Sequence, residues 1–89
     1  MRLSLHADYA LRTLMYLAVH DGHRSIGEIA GAYGISKNHL MKVAQRLVAE
    51  GFIEAVRGRT GGLRLAQAAD QVNVGRVVRT MEETGSFVE

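Results

Sequence analysis

Three features of the chain predict a mainly α fold with a single small β-hairpin. Apolar residues recur at helical spacing in four stretches, and a short glycine-containing turn joins the second stretch to the third. Directly after the third, the period changes to strand-like alternation around a glycine-rich tip. Two helices joined by a turn of about three or four residues form a helix-turn-helix. A hairpin directly behind them is a wing. The predicted architecture is therefore a winged helix-turn-helix, a layout suited to binding DNA.

Each element follows from local chemistry. Ser4 is positioned to cap a first helix, in which Leu11, Leu14, Met15 and Ala18 recur at helical spacing to about His20. Asp8 and Arg12 sit one turn apart near its start, and Asp21-Gly22-His23 breaks it. Ser25 caps a second helix from Ile26 to Tyr33, and Ser25-Ile26-Gly27-Glu28 matches the capping box. Ile29, Ala30 and Tyr33 are expected to face inward. Gly34 ends this helix, with Ile35 as a buried spacer. Ser36 caps the third helix, and Gly51 supplies the left-handed residue that ends it. Leu40, Val43, Ala44 and Leu47 form its inward stripe.

Phe52 to Val56 has strand character and Leu63-Arg64-Leu65 alternates, with the tip Arg57-Gly58-Arg59-Thr60-Gly61-Gly62 between them. Residues 67–72 read as a linker. Asn73 caps a fourth helix, with Val74, Val77, Val78 and Met81 on one face.

Composition bounds the function. A chain of 89 residues is one domain or part of one, and buries a modest share of its surface, so oligomerisation is to be considered. No apolar run spans a bilayer and no signal segment opens the chain, which predicts no membrane association and a cytoplasmic location. There is no cysteine, so these residues form neither a disulfide nor a thiolate metal site. Net charge is only +2, but it is unevenly spread. Residues 36–64 hold six cations (Lys37, Lys42, Arg46, Arg57, Arg59, Arg64) against Glu50 and Glu54, a local balance of +4. The remainder, with five basic and seven acidic residues, stands at −2. Phosphate binding follows such local clusters rather than the total.

The outward face of the third helix carries Asn38, Met41, Lys42 and Gln45, with Arg46 on its flank. Taken alone, that face is equally a solvated surface. The wing changes the balance, because arginines at a glycine-rich tip suit a narrow minor groove. Asn38 and Gln45 bear the bidentate amides that match adenine, and lysine bonds guanine or phosphate. Arg46 is assigned to the DNA backbone, and Arg57 and Arg59 to the minor groove. Ser36, Lys37, His39, Thr60 and Gly61 complete the set expected to contact double-stranded DNA. Met15, Met41 and Met81 are most simply packing residues, although Met41 is placed to touch a thymine methyl. His6, His20, Asp21 and His23 match no ligand motif, the glycines of residues 57–62 form no phosphate loop, and no nucleophile stands with a base. An enzyme is not expected.

Three segments carry a resemblance to a known family: Met1-Arg-Leu-Ser-x-x-Ala-Asp-Tyr-Ala-Leu-Arg12, Gly34-Ile-Ser-Lys-Asn-His-Leu-Met-Lys42 and Val56-Arg-Gly-Arg-Thr-Gly-Gly-Leu-Arg-Leu65. In this order and spacing they resemble the iron–sulfur winged-helix repressors typified by IscR and NsrR. Lys37-Asn38-His39-Leu40 is most similar to the NsrR branch, which senses nitric oxide. The resemblance implies a DNA-binding repressor that responds to nitric oxide or redox state through an iron–sulfur cluster in a full-length homodimer on a palindromic operator. It also implies that residues 1–83 are the DNA-binding domain and 84–89 the start of a truncated sensor and dimerisation region. The cysteine ligands would lie beyond this chain, and no cofactor is expected on the fragment. Asp8, within Ala7-Asp8-Tyr9-Ala10-Leu11-Arg12, matches the position that supplies the non-cysteine cluster ligand in NsrR-like proteins. Without the resemblance, Asp8 reads as an acid near a helix N-terminus paired with Arg12. Two alternatives stand beside this reading: a winged-helix protein-interaction module, and a family DNA binder that uses another signal.

Overall fold

The computed structural model describes residues 3–59 and 61–88, the last five for their backbone only. Thr60 therefore lies outside the described residues. Four helices, α1 (Leu5–Val19), α2 (Ile26–Tyr33), α3 (Lys37–Ala49) and α4 (Val74–Val88), enclose the core, and strands β1 (Ile53–Val56) and β2 (Gly62–Leu65) follow α3. The strands pair antiparallel, with Ile53 opposite Leu65 and Val56 opposite Gly62. α1 packs along α4 and touches both α3 and β2, while α2 packs on α3.

The capping residues act as expected. Ser4, Ser25 and Ser36 each accept a first-turn amide, from Ala7, Glu28 and His39 respectively. The amide of Arg76 donates to Asn73 Oδ1 at 3.0 Å, starting α4. Gly34 takes the left-handed conformation, φ 66° and ψ 37°, that turns the chain from α2 into α3. The capping box is only half made. Glu28 turns its carboxylate away from Ser25 to accept from the Tyr16 hydroxyl and from Arg24, so it braces α2 against α1. That hydrogen bond, together with local burial, raises the Tyr16 phenol above its ordinary pKa.

All four inward residues of α3 are buried, together with Ile29 and Ala30 of α2, Phe52, Ile53, and Val77 and Met81 of α4. On α1 the buried stripe differs from the expected one. Ala7, Ala10, Leu14 and Leu17 face the core, whereas Met15 is 61% exposed and Ala18 also faces out. The helix carries two apolar stripes, and the one with two alanines allows a closer approach of neighbouring helices. Thr13 shares the buried face, its hydroxyl donating to the Tyr9 carbonyl at 2.8 Å.

Smaller departures have local causes. Val74, in the first turn of α4, is 56% exposed although Val77 and Met81 are covered. Ile35 and Tyr33 are half-buried, and Tyr33 lies under the Arg12 guanidinium at 5.5 Å. The linker contains a short 3-10 turn, Ala69–Gln71. α4 runs unbroken through residue 83 to Val88, so the expected domain boundary is not marked by a helix end. Sequence reasoning missed one tie, in which the Ser4 amide donates to Glu82 Oε1 at 2.9 Å and joins the start of α1 to α4.

Leu47, fully covered in the core, is expected to cost about 2–5 kcal/mol of stability on truncation to alanine. Met15→Ser, on the exposed stripe, should change stability by no more than about 0.5 kcal/mol. Urea unfolding followed by circular dichroism measures both, and equal midpoints for the two variants would contradict this description of the core.

Candidate nucleic-acid interface

With Leu40, Val43, Ala44 and Leu47 turned inward, the rotation of α3 is settled, and Lys37, Asn38, Met41, Lys42 and Gln45 are all exposed on its outer side. The wing borders that same side. Met41, Gln45 and Val48 of α3, Val56 and Gly61 of the hairpin, and Ile26 at the start of α2 line one open groove of about 500 Å³. Met41 and Gln45 of α3 and the Gly61 end of the hairpin tip therefore border one groove, whereas Lys37, Asn38, Lys42, Arg57 and Arg59 do not line it.

The hairpin is held in place by a contact that the sequence did not disclose. Arg24 and Leu63 exchange two backbone hydrogen bonds, of 2.9 and 2.7 Å, which form an isolated antiparallel bridge beside the two strands. This tight approach explains Gly62: a Cβ there would stand 2.5 Å from the Arg24 carbonyl oxygen. Gly61 is constrained in the same way, since a Cβ would fall on the Val56 carbonyl oxygen. Its amide donates to the Gly58 carbonyl at 3.0 Å and closes the tip.

Charge is partitioned within residues 36–64. Glu50 pairs with Arg46 at 3.1 Å, and Glu54 pairs across the strands with Arg64 at 3.0 Å. Both carboxylates of residues 36–64 are thus engaged. Lys37, Lys42, Arg57 and Arg59, all exposed, form no ion pair among the described residues. They are the four cations that account for the local excess.

Two of the expected contact residues have other surroundings. His39 is half-buried and packs on α1, its ring 4.8 Å from Tyr9 and 5.3 Å from His6, so it does not stand out with Asn38 and Lys42. Arg46 is half-buried, with its Nε covered and its Nη2 tied to Glu50, which leaves it less available than the lysines. Ser36, though exposed, is engaged as the cap of α3.

Asp8 lies on α1, and its carboxylate accepts from Arg12 at 3.0 Å. His20 stacks on Tyr16 at 3.9 Å, with Nδ1 2.9 Å from the Tyr16 carbonyl oxygen. Among the described residues no group of three or more histidines, cysteines, aspartates or glutamates could hold a metal ion. Iron–sulfur clusters are held chiefly by thiolates. A chain without cysteine does not fit one by itself, and Asp8 could contribute at most a single carboxylate.

A helix-turn-helix whose second helix shares an open groove with a following hairpin is a winged helix-turn-helix domain. The chain belongs to the Rrf2 family, described as "Iron-dependent Transcriptional regulator", which matches residues 3–89. Its relatives include the HTH-type transcriptional regulator NsrR of Bacillus licheniformis, 44% identical over all of this chain and 64% of that protein. The NsrR of Bacillus subtilis is 47% identical over all of this chain and 62% of that protein. The fold is also that of CymR, the global cysteine regulator of B. subtilis, with a TM-score of 0.87 at 27% identity over 92% of this chain and 65% of that one. T. potens IscR superposes with a TM-score of 0.85 at 29% identity, over 91% of this chain and 61% of that one. The chain thus spans less than two thirds of the length of these curated relatives, which are named as transcriptional regulators rather than enzymes. No helix among the described residues is long and apolar enough to cross a membrane.

Gly62→Ala is expected to push the hairpin off residue 24. Hydrogen exchange at the Arg24 and Leu63 amides should then accelerate, whereas Gly31→Ala, with open space around it, should leave both amides as they are. Equal protection in the two variants would refute the bridge.

Proposed function

We propose that this chain is the DNA-reading head of a transcriptional repressor, with α3 in the major groove and the hairpin tip against the adjoining minor groove. The observation that supports this reading is the shared groove, which Met41 and Gln45 of α3 line together with Val56 and Gly61 of the hairpin. In this arrangement Asn38 and Gln45 read base edges, Lys37 and Lys42 bond guanine or phosphate, and Arg57 and Arg59 follow the minor groove. Arg46, already tied to Glu50, adds less. Ser36 and Gly61 would lie beside the backbone path. Two such heads in a symmetric homodimer would match the half-sites of a palindromic operator.

The signal proposed is nitric oxide or redox state, sensed through an iron–sulfur cluster in the longer protein. Support comes from the NsrR relatives and from the family's iron-dependent description. Asp8 is the ligand this chain would contribute. Its side chain is 38% exposed, and Arg12 holds its carboxylate in place on α1.

Loss of a base-reading amide, Asn38→Ala, is expected to cost about 1–3 kcal/mol of binding and to relax preference at one base pair. Lys42→Ala or Arg59→Ala should weaken binding evenly across sequences and reduce the salt slope by about one. Fluorescence anisotropy on a selected duplex across a salt series measures all three. Unchanged affinity and slope in both cation variants would refute the assignment and favour an acidic protein partner.

For Asp8, the protein expressed anaerobically from its complete gene is compared with its Asp8→Ala variant. The variant is expected to lose bound iron and to alter the visible spectrum before and after nitric oxide exposure. Identical iron content and spectra would remove Asp8 from the sensor.

A further inference from the structure

We propose that Met41 is an oxidation site: conversion of its thioether to the sulfoxide by hydrogen peroxide switches off the α3 surface. The inference rests on the DNA-reading role of α3. Met41 is 41% exposed and stands on the outer face between Asn38 and Gln45. It lines the groove with Ala44, Val48 and Val56, so it borders both the reading helix and the wing.

The other sulfurs are disposed differently. The chain has no cysteine, so within its 89 residues oxidisable sulfur belongs to methionine alone. Met81 is fully covered in the core. Met15 is 61% exposed, but it lines a separate groove with Leu11, Val72 and Val74, on α1. Among the described methionines, Met41 alone combines solvent access with a place on the reading surface.

The chemistry balances with the oxidant as the second reactant. A lone pair on Met41 Sδ attacks one oxygen of hydrogen peroxide. The S–O bond forms as the O–O bond breaks, and the departing hydroxide takes the proton of the transferred oxygen and leaves as water. Sulfur loses two electrons and the peroxide is reduced. An apolar contact suited to a base methyl group becomes a polar group with a strong acceptor oxygen, which costs free energy when pressed into an interface without a donor. Methionine sulfoxide reductase reverses the change.

The test treats the protein with hydrogen peroxide, with and without bound duplex DNA, and quantifies sulfoxide at each methionine by peptide mass spectrometry. Met15 and Met41 are expected to oxidise well ahead of Met81, and duplex DNA should protect Met41 but not Met15. Oxidised protein should bind duplex about tenfold more weakly, and the reductase should restore binding. In M41L, whatever its own starting affinity, peroxide should leave binding where it began, whereas M15L should keep the full response. Unchanged affinity at complete Met41 oxidation, or a Met41 as resistant as Met81, would overturn the proposal. Failure of the unoxidised protein to bind duplex would instead overturn the DNA-reading role on which the proposal depends.

Discussion

The rotation of α3 about its own axis is the constraint on which the rest of the molecule depends. Leu40, Val43, Ala44 and Leu47 are buried together, and no other rotation would cover all four. Turning the helix by one residue, about 100°, would drive Met41 and Gln45 toward the core. The outer face is thus a by-product of burial. What α3 presents to a partner is whatever the core does not take, and the core takes the apolar stripe completely.

The wing depends on a second constraint of a different kind. A two-stranded hairpin is marginal alone and needs a further strand or packing against a helix. Here the support is packing of β1 on α3 and of β2 on α1, joined by a bridge, Arg24 with Leu63, at the entry to α2. The bridge joins the hairpin to the start of α2, which packs on α3. The price is side-chain volume: at Gly61 and Gly62 any Cβ would collide with backbone oxygen. Conformational freedom at the tip is therefore the smaller part of what those glycines provide, and close approach is the larger.

The helices, their caps and the inward stripe of α3 were legible because they rest on contacts a few residues apart. Ser25 with Glu28 and Asn73 with Arg76 are interactions of that kind. What escaped depends on distant partners. α1 carries two apolar stripes, and periodicity does not say which one α4 will cover. The Glu28 carboxylate had two available uses, and the presence of Tyr16 on α1 decided between them. His39 looked like a surface residue of α3 until α1 brought Tyr9 and His6 beside it. The cation count was visible in the sequence, but its division between engaged and unengaged groups was not, because Arg64 meets Glu54 only across the hairpin.

That division bears on the choice between DNA and an acidic protein surface as the partner. A surface selected for net positive charge alone would have no use for Glu50 and Glu54, which hold two arginines in fixed positions. The cations left without an ion pair among the described residues are then Lys37 and Lys42 on the first half of α3 and Arg57 and Arg59 at the hairpin tip. Asn38 and Gln45 are seven residues apart, about 10 Å along the helix axis, which is close to the rise of three base pairs at about 3.4 Å each. Amides at that spacing, bracketed by cations and flanked by an apolar side chain, suit a repeating edge of bases between two phosphate strands. An acidic protein would satisfy the cations but would leave the amide spacing without a reason.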